Sequence, residues 1–198
     1  MTHVDYINPK YQNDKSLKRV IFLDRDGTIH VDKVNTVEEK DLEYFPDTFS
    51  ALKRLSNLGF FFIIISNQDG IRKGKYDANK MHAFNQVIVK DFVKRDIELL
   101  AIYYSPYLPE DNDYSFKPNP GMIEQALKDF NIDLKHSYVI GDQMSDYKAG
   151  LALGIDSYIV RTGIYHRPLE NDKLFDSKRA FDNLDECSQY IYKSETSK

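Results

Sequence analysis

Two carboxylates one residue apart, Asp24 and Asp26, follow the apolar run Val20-Ile21-Phe22-Leu23 and lead straight into Gly27 and Thr28. Carboxylates at this spacing suit two kinds of chemistry: they can hold a hard cation, or one can attack while the other moves a proton. Side chains at i and i+2 of an extended segment share a face, so both are expected to point the same way. Two such charges coexist only with a cation or a shared proton between them. Taken alone, Asp-Gly after a strand equally describes a turn. Three more polar groups stand at the ends of apolar runs. Ser66-Asn67-Gln68 follows Phe60–Ile65, Lys117 comes after Leu99–Tyr104, and Asp142 with Asp146 follows Tyr138-Val139-Ile140. Singly these would be a turn, a surface lysine and a helix start with favourable N-terminal charge. Their order, each after a successive apolar run, points to one catalytic edge.

The elements that must position them are legible from periodicity. Phe60 to Ile65 is too uniformly apolar for a strand with a wet face and reads as a central parallel strand. Helical spacing runs over Thr48–Leu58, closed by Gly59, and over Asp77–Lys94, with Met81, Phe84, Val87, Ile88 and Phe92 on its apolar side. Pro120 starts a helix continued by Met122–Phe130; Ser145–Leu153 is a short helix closed by Gly154. Tyr158-Ile159-Val160 is a fifth strand, and the tail holds a weakly amphipathic helix near Leu184–Tyr192 before a frayed end. Alternating strands and helices predict an α/β fold: a parallel sheet covered on both faces, with all polar strand ends on one edge. Ligands bind beyond that edge in open parallel sheets. Residues 1–18 are polar and aperiodic and read as an extended or loosely packed arm, with a single domain over 19–198.

Bulk properties narrow the class. With 198 residues, 41% hydrophobic and 29% charged, the chain suits one soluble globular domain. A net charge of -4 does not suggest a nucleic-acid partner. The single cysteine, Cys187, excludes an internal disulfide and a cysteine-rich metal site. No apolar run approaches the ~20 residues that span a bilayer. The polar start lacks the apolar core of a signal peptide, so a cytoplasmic location is expected. No pair among His3, His30, His82, His136 and His166 has metal-ligand spacing, and Tyr103, Tyr104 and Tyr107 read as packing and loop.

The order of these motifs resembles the haloacid dehalogenase (HAD) superfamily of phosphotransferases. Leu23-Asp24-Arg25-Asp26-Gly27-Thr28 matches its first motif, Ser66 its second, Lys117 its third and Gly141-Asp142-Gln143-Met144-Ser145-Asp146 its fourth. Asp24 to Ile29, Ser66-Asn67-Gln68 with Gly70-Ile71, and Lys117-Pro118-Asn119-Pro120-Gly121-Met122 are similar to the histidinol-phosphate and heptose-bisphosphate phosphatase branch. The resemblance covers about residues 19 to 165 and implies a Rossmann-like three-layer sandwich. Neither gap between motifs has room for a separate cap domain, so loops must shape the pocket.

The resemblance also implies roles. Asp24 would be the nucleophile, forming an aspartyl-phosphate, and Asp26 the acid and base. A Mg²⁺ is implied, held by the Asp24 carboxylate, the Asp26 backbone carbonyl and Asp142. Lys117 would balance phosphoryl charge, Ser66 and the Asn67 backbone would bind phosphate oxygens, and Gln68 would join the substrate contacts. Asp146 would orient Lys117 or a metal-bound water, and Thr28 would support the motif from behind. Arg25 would act through its backbone N–H, with its side chain in solvent. Zinc is not expected. Many members of the branch order the third loop with zinc on three cysteines and a histidine, whereas the matching positions here are Ser105, Tyr107, Asp113 and Ser115. Phe116 stands where zinc-bearing relatives usually place an arginine beside the motif lysine, so the bidentate phosphate donor is missing. Arg72, Lys73 and Lys75 are the candidates to replace it.

The leading substrate is a compact phosphosugar such as D-glycero-D-manno-heptose 1,7-bisphosphate, with histidinol phosphate second. A polynucleotide 3′-phosphatase shares Asp-x-Asp-Gly-Thr but is opposed by the acidic balance. A non-catalytic phosphosugar-binding relative is opposed by the intact Asp24, Asp26, Lys117 and Asp142.

Overall fold

In the computed structural model, residues 2–164 and 169–197 are described. Seven strands form one sheet in the order β1-β4-β3-β2-β5-β6-β7. They are β1 (His3–Ile7), β2 (Val20–Leu23), β3 (Phe61–Asn67), β4 (Leu99–Ser105), β5 (Tyr138–Gly141), β6 (Asp156–Val160) and β7 (Ala180–Phe181). The strands from β4 to β7 run parallel. Strand β1 pairs antiparallel with β4, His3 opposite Tyr104 and Ile7 opposite Ala101.

The pleat sorts side chains to two helical layers. Ile21, Leu23, Phe62 and Ile64 pack with helices α1 (Thr48–Ser56), α2 (Ala78–Val93) and α5 (Leu184–Thr196). Val20, Phe22, Ile63 and Ile65 face α3 (Gly121–Asp129) and α4 (Met144–Leu151). The fold is therefore the expected three-layer α/β sandwich. At the start of α2 the Asp77 side chain accepts from the Lys80 N–H, satisfying a helix-terminal donor. Cys187 lies fully inside the first layer, where burial pushes its thiol up, consistent with a packing residue.

Two expectations are corrected. Residues 1–18 are not a loose arm: they supply an edge strand, and Tyr11 and Lys18 are buried. The Lys18 ammonium is wrapped by the Asp14 and Ser16 carbonyls and the Ser16 hydroxyl and pairs with Asp14 at 3.1 Å, which makes its burial tolerable. Strand β7 is too short to show a period. The tail is not frayed at Glu195, whose carboxylate accepts from Arg19 at 2.7 Å and from the Tyr138 hydroxyl at 2.7 Å.

Candidate active site

Parallel pairing brings the ends of β2, β3, β4 and β5 to one edge, and the four polar signatures converge there. Lys117 is 2% exposed, and its ammonium is the hub. It meets Asp24 Oδ1 at 2.6 Å, donates to the Ile65 carbonyl at 2.9 Å, and makes a very short contact with Asp146 Oδ1. The other Asp146 oxygen accepts from the Gln143 N–H at 3.1 Å. Both Asp146 oxygens are thus committed, one of them to the Lys117 ammonium. Asn67 holds the same lysine from behind: its Oδ1 accepts from the Lys117 N–H at 3.0 Å and its Nδ2 donates to the Lys117 carbonyl at 3.1 Å.

Asp24, Asp142 and Asp146 each offer a carboxylate oxygen within 4.8 Å of the others. Asp142 Oδ1 is buried with no hydrogen-bond partner. Its carboxylate lies against bare backbone: a Cβ on Gly163 would come within 1.9 Å of Asp142 Oδ2, and one on Gly27, at φ +83°, within 2.9 Å. Side chains at either glycine would displace the carboxylate. Burial, with the charges of Asp24 and Asp146 adding to it, pushes the Asp142 carboxyl up to about 9. Burial likewise pushes Asp24 up to about 7, Lys117 pulling it back and Asp146 and Asp26 adding to the rise. An orphaned oxygen, hard donors and excess buried negative charge fit a divalent cation between Asp24 and Asp142.

Asp26 sits in a different environment. Burial acts to raise its carboxyl, but Arg25 and His30 outweigh it and hold the group below the usual range. Gln68 Nε2 donates to Asp26 Oδ2 and to Ser66 Oγ, each at 2.8 Å. Because Ser66 Oγ accepts from Gln68, its own proton is left to donate to a phosphate oxygen. Gln68 Oε1 accepts from Tyr76 at 2.7 Å and Arg25 at 3.1 Å. Gln68, expected among the substrate contacts, is 3% exposed and braces Asp26 and Ser66. Thr28 is fully buried, with its hydroxyl unpartnered.

Arg25 overturns its expectation most clearly: its side chain is 1% exposed and lies in the polar network instead of solvent. Arg72 and Lys73 remain at the exposed rim, Arg72 3.5 Å from Asp111 and Lys73 2.5 Å from Asp69. The Arg72–Asp111 pair joins the loop after β3 to the loop after β4. That second loop is ordered at the four positions matching the zinc ligands of relatives. Ser115 Oγ lies 3.0 Å from Ser105 Oγ and donates to Asp113 Oδ1 at 2.6 Å, while His3 of β1 packs on the Tyr107 ring at 5.8 Å. Sequence reasoning passed over Gly163, Asn85 and Tyr76. For Gly163, a glycine three residues beyond Val160 was the available signal; Asn85 and Tyr76 carried none.

A family model described as HAD-hydrolase-like matches residues 116–187. The chain is 36% identical over 153 residues to the D-glycero-alpha-D-manno-heptose-1,7-bisphosphate 7-phosphatase of Photorhabdus laumondii, covering 73% of this chain and 84% of that protein. It is 34% identical over 151 residues to the D-glycero-beta-D-manno-heptose-1,7-bisphosphate 7-phosphatase of Escherichia coli K12, covering 72% and 79%. Among solved structures, a D,D-heptose 1,7-bisphosphate phosphatase from B. bronchiseptica, complexed with magnesium and phosphate, superposes with a TM-score of 0.79 at 24% identity, covering 89% of this chain and 99% of that one. That likeness concerns the fold.

Proposed function

The chain belongs to the HAD-like phosphatases, in the branch of the heptose-bisphosphate enzymes, and from that premise we propose that it removes the 7-phosphate of D-glycero-D-manno-heptose 1,7-bisphosphate with Mg²⁺ bound. The observation that carries the reading is the Lys117 ammonium lying between Asp24 and Asp146 beside the orphaned Asp142 oxygen. Bound Mg²⁺ would neutralise phosphoryl oxygens and orient the phosphorus. Its holders would be the Asp24 and Asp142 carboxylates and the Asp26 backbone carbonyl.

The residues divide the work as follows. A free Asp24 oxygen attacks phosphorus, the bond from phosphorus to the sugar oxygen breaks, and that oxygen takes a proton from Asp26, which must first bind that proton from solvent because Arg25 and His30 keep it ionised in the free site. Asp26, now a carboxylate, takes a proton from water as the water oxygen attacks the aspartyl-phosphate. The Asp24–phosphate bond then breaks, releasing phosphate and restoring both carboxyl groups. Lys117, by its fixed positive charge, and Ser66, as a donor, stabilise charge on the phosphoryl oxygens throughout. The exposed guanidinium of Arg72 and the ammonium of Lys73 are the candidates to receive the second phosphate that Phe116 cannot bind.

Phosphate release in Mg²⁺ tests the reading. Both anomers of the heptose bisphosphate should turn over with kcat/KM on the order of 10⁴ M⁻¹s⁻¹ or more. Histidinol phosphate and a 3′-phosphorylated oligonucleotide should be poorer substrates. A preference for histidinol phosphate would move the enzyme to the sister activity, and inactivity on every sugar phosphate would sink the proposal.

A metal effect follows from the buried carboxyls. A carboxyl raised in the fold stabilises the metal-free protein most below the unfolded range near 4. That contribution is lost as pH rises toward about 7 for Asp24 and about 9 for Asp142. Mg²⁺ must displace those protons, so it should raise Tm more at pH 8 than at pH 6. At a hundredfold excess over Kd the gain is about 2.7 kcal/mol, or roughly 5–10 °C for a chain of this size. Calorimetry in EDTA and in Mg²⁺ at the two pH values checks this, and an equal gain at both would refute it.

A further inference from the structure

The Arg25 side chain folds back onto its neighbour, Asp26. Its Nε donates to Asp26 Oδ2 at 3.0 Å, and its Nη2 lies 2.9 Å from Oδ1 and 2.8 Å from Oδ2. A buried guanidinium is tolerated only when its charge is paired and its donors are satisfied. Here Nη1 donates to Asn85 Oδ1 at 2.9 Å, and Nη2 also reaches the Thr36 carbonyl and Gln68 Oε1, each at 3.1 Å. The guanidinium carbon lies 4.9 Å from the centre of the Phe84 ring. Asn85, on α2, passes the anchoring outward: its Nδ2 donates to Asp5 Oδ2 at 3.0 Å. Asp5 belongs to β1, its side chain is 4% exposed, and its other oxygen meets His82 Nδ1 at 3.0 Å. A hydrogen-bonded row, Asp5–Asn85–Arg25–Asp26, therefore runs from the edge strand to the catalytic edge.

The row fixes how Asp26 faces its task. A carboxylate oxygen has two good acceptor directions. Oδ2 of Asp26 is filled by Arg25 and Gln68, whereas Oδ1 takes Arg25 and has His30 Nε2 only at 3.5 Å. The open direction is on Oδ1. Without Arg25 the carboxylate could rotate and present either oxygen, and a proton donor displaced by about 1 Å loses much of its effect.

We infer that Arg25 is a positioning residue for Asp26, holding Oδ1 toward the leaving oxygen, and that the row through Asn85 to Asp5 on β1 holds Arg25 in turn. This deepens the phosphatase reading and rests on it. The consequence is selective. A leaving alkoxide needs a proton from Asp26, whereas a stable phenolate scarcely does. kcat/KM reports the steps up to departure of the leaving group, so it isolates this role from the later attack of water.

Arg25→Gln and Asp5→Ala should be compared with the unsubstituted enzyme on a sugar (alkyl) phosphate and on p-nitrophenyl phosphate in saturating Mg²⁺. Arg25→Gln is expected to lower kcat/KM on the alkyl phosphate by about 10²–10³-fold, within the range for general acid catalysis, and on the aryl phosphate by less than about 10-fold. Asp5→Ala, remote from the reacting atoms, should show a smaller loss with the same bias toward the alkyl substrate. It decides the matter if Arg25→Gln fails to fold. Equal losses on the two substrates, or no loss on either, would overturn the inference. If the unsubstituted enzyme hydrolyses neither phosphate, the phosphatase reading itself fails.

Discussion

Asp24→Asn should abolish turnover while leaving the fold at least as stable as before. Loss of a nucleophile that forms a covalent intermediate costs roughly 10⁴–10⁶ in kcat. An amide is a poor nucleophile and a weaker cation ligand, so the Tm gain in Mg²⁺ should shrink with activity. Stability moves the other way because Asp24 is buried at a cost: its carboxyl is pushed up to about 7, chiefly by burial. The amide removes that charge, and Lys117 keeps Asp146 and the Ile65 carbonyl as partners. Steady-state kinetics with calorimetry in EDTA gives both numbers. A variant with more than a trace of activity would exclude Asp24 as nucleophile, and one that loses several degrees in EDTA would show that the Lys117 pairing outweighs the burial.

Lys117→Met should fail on both counts. Burial alone would lower the Lys117 ammonium, but Asp146 and Asp24 more than offset it and hold it charged. Removing one partner of a buried ion pair leaves an uncompensated charge, at about 3–5 kcal/mol. For a chain of this size that is roughly 6–20 °C in Tm. The defect should be smaller at pH 5 than at pH 8, because the orphaned Asp24 carboxyl, raised by burial, is then free to protonate, and Mg²⁺ should restore part of it. Activity should fall by at least about 10²-fold, since a fixed positive charge beside the phosphoryl oxygens is lost. Equal Tm losses at the two pH values would show that the loss comes from packing and not from charge. The pair of substitutions thus separates two buried groups: the carboxylate destabilises and reacts, and the ammonium stabilises and assists.

On the proposed function, the loops after β3 and β4 would shape what the edge acts on. Their junction is the Arg72–Asp111 pair. An exposed ion pair of this kind contributes at most about 1 kcal/mol, so a substrate phosphate can take the guanidinium from Asp111 at small cost.

The chemistry of the edge was legible in the sequence because it depends on local order. Apolar runs mark buried strands, and parallel connections send all their ends the same way, so Asp24, Ser66 and Asp142 converge wherever the loops go, while Lys117 is carried to them by the loop after β4 and held there by Asn67. The motif resemblance added the roles. What local pattern could not carry was the fate of polar residues whose partners lie far along the chain. Nothing around Arg25 distinguishes a buried guanidinium from an exposed one, because Asn85, 60 residues away, and Phe84 make the pocket that receives it. Asp5 looked like part of a loose arm because an antiparallel edge strand shows only when β4 is beside it. Gln68 looked like a substrate ligand because sequence shows an amide but not Tyr76 and Asp26 on either side of it. Burial of a polar group is decided by whether the tertiary fold brings it partners. The sequence alone therefore determined the strand ends and the reaction they can perform. Only the tertiary structure decided that the Asp24–Arg25–Asp26 turn is held from beneath by a strand contributed from the first residues of the chain.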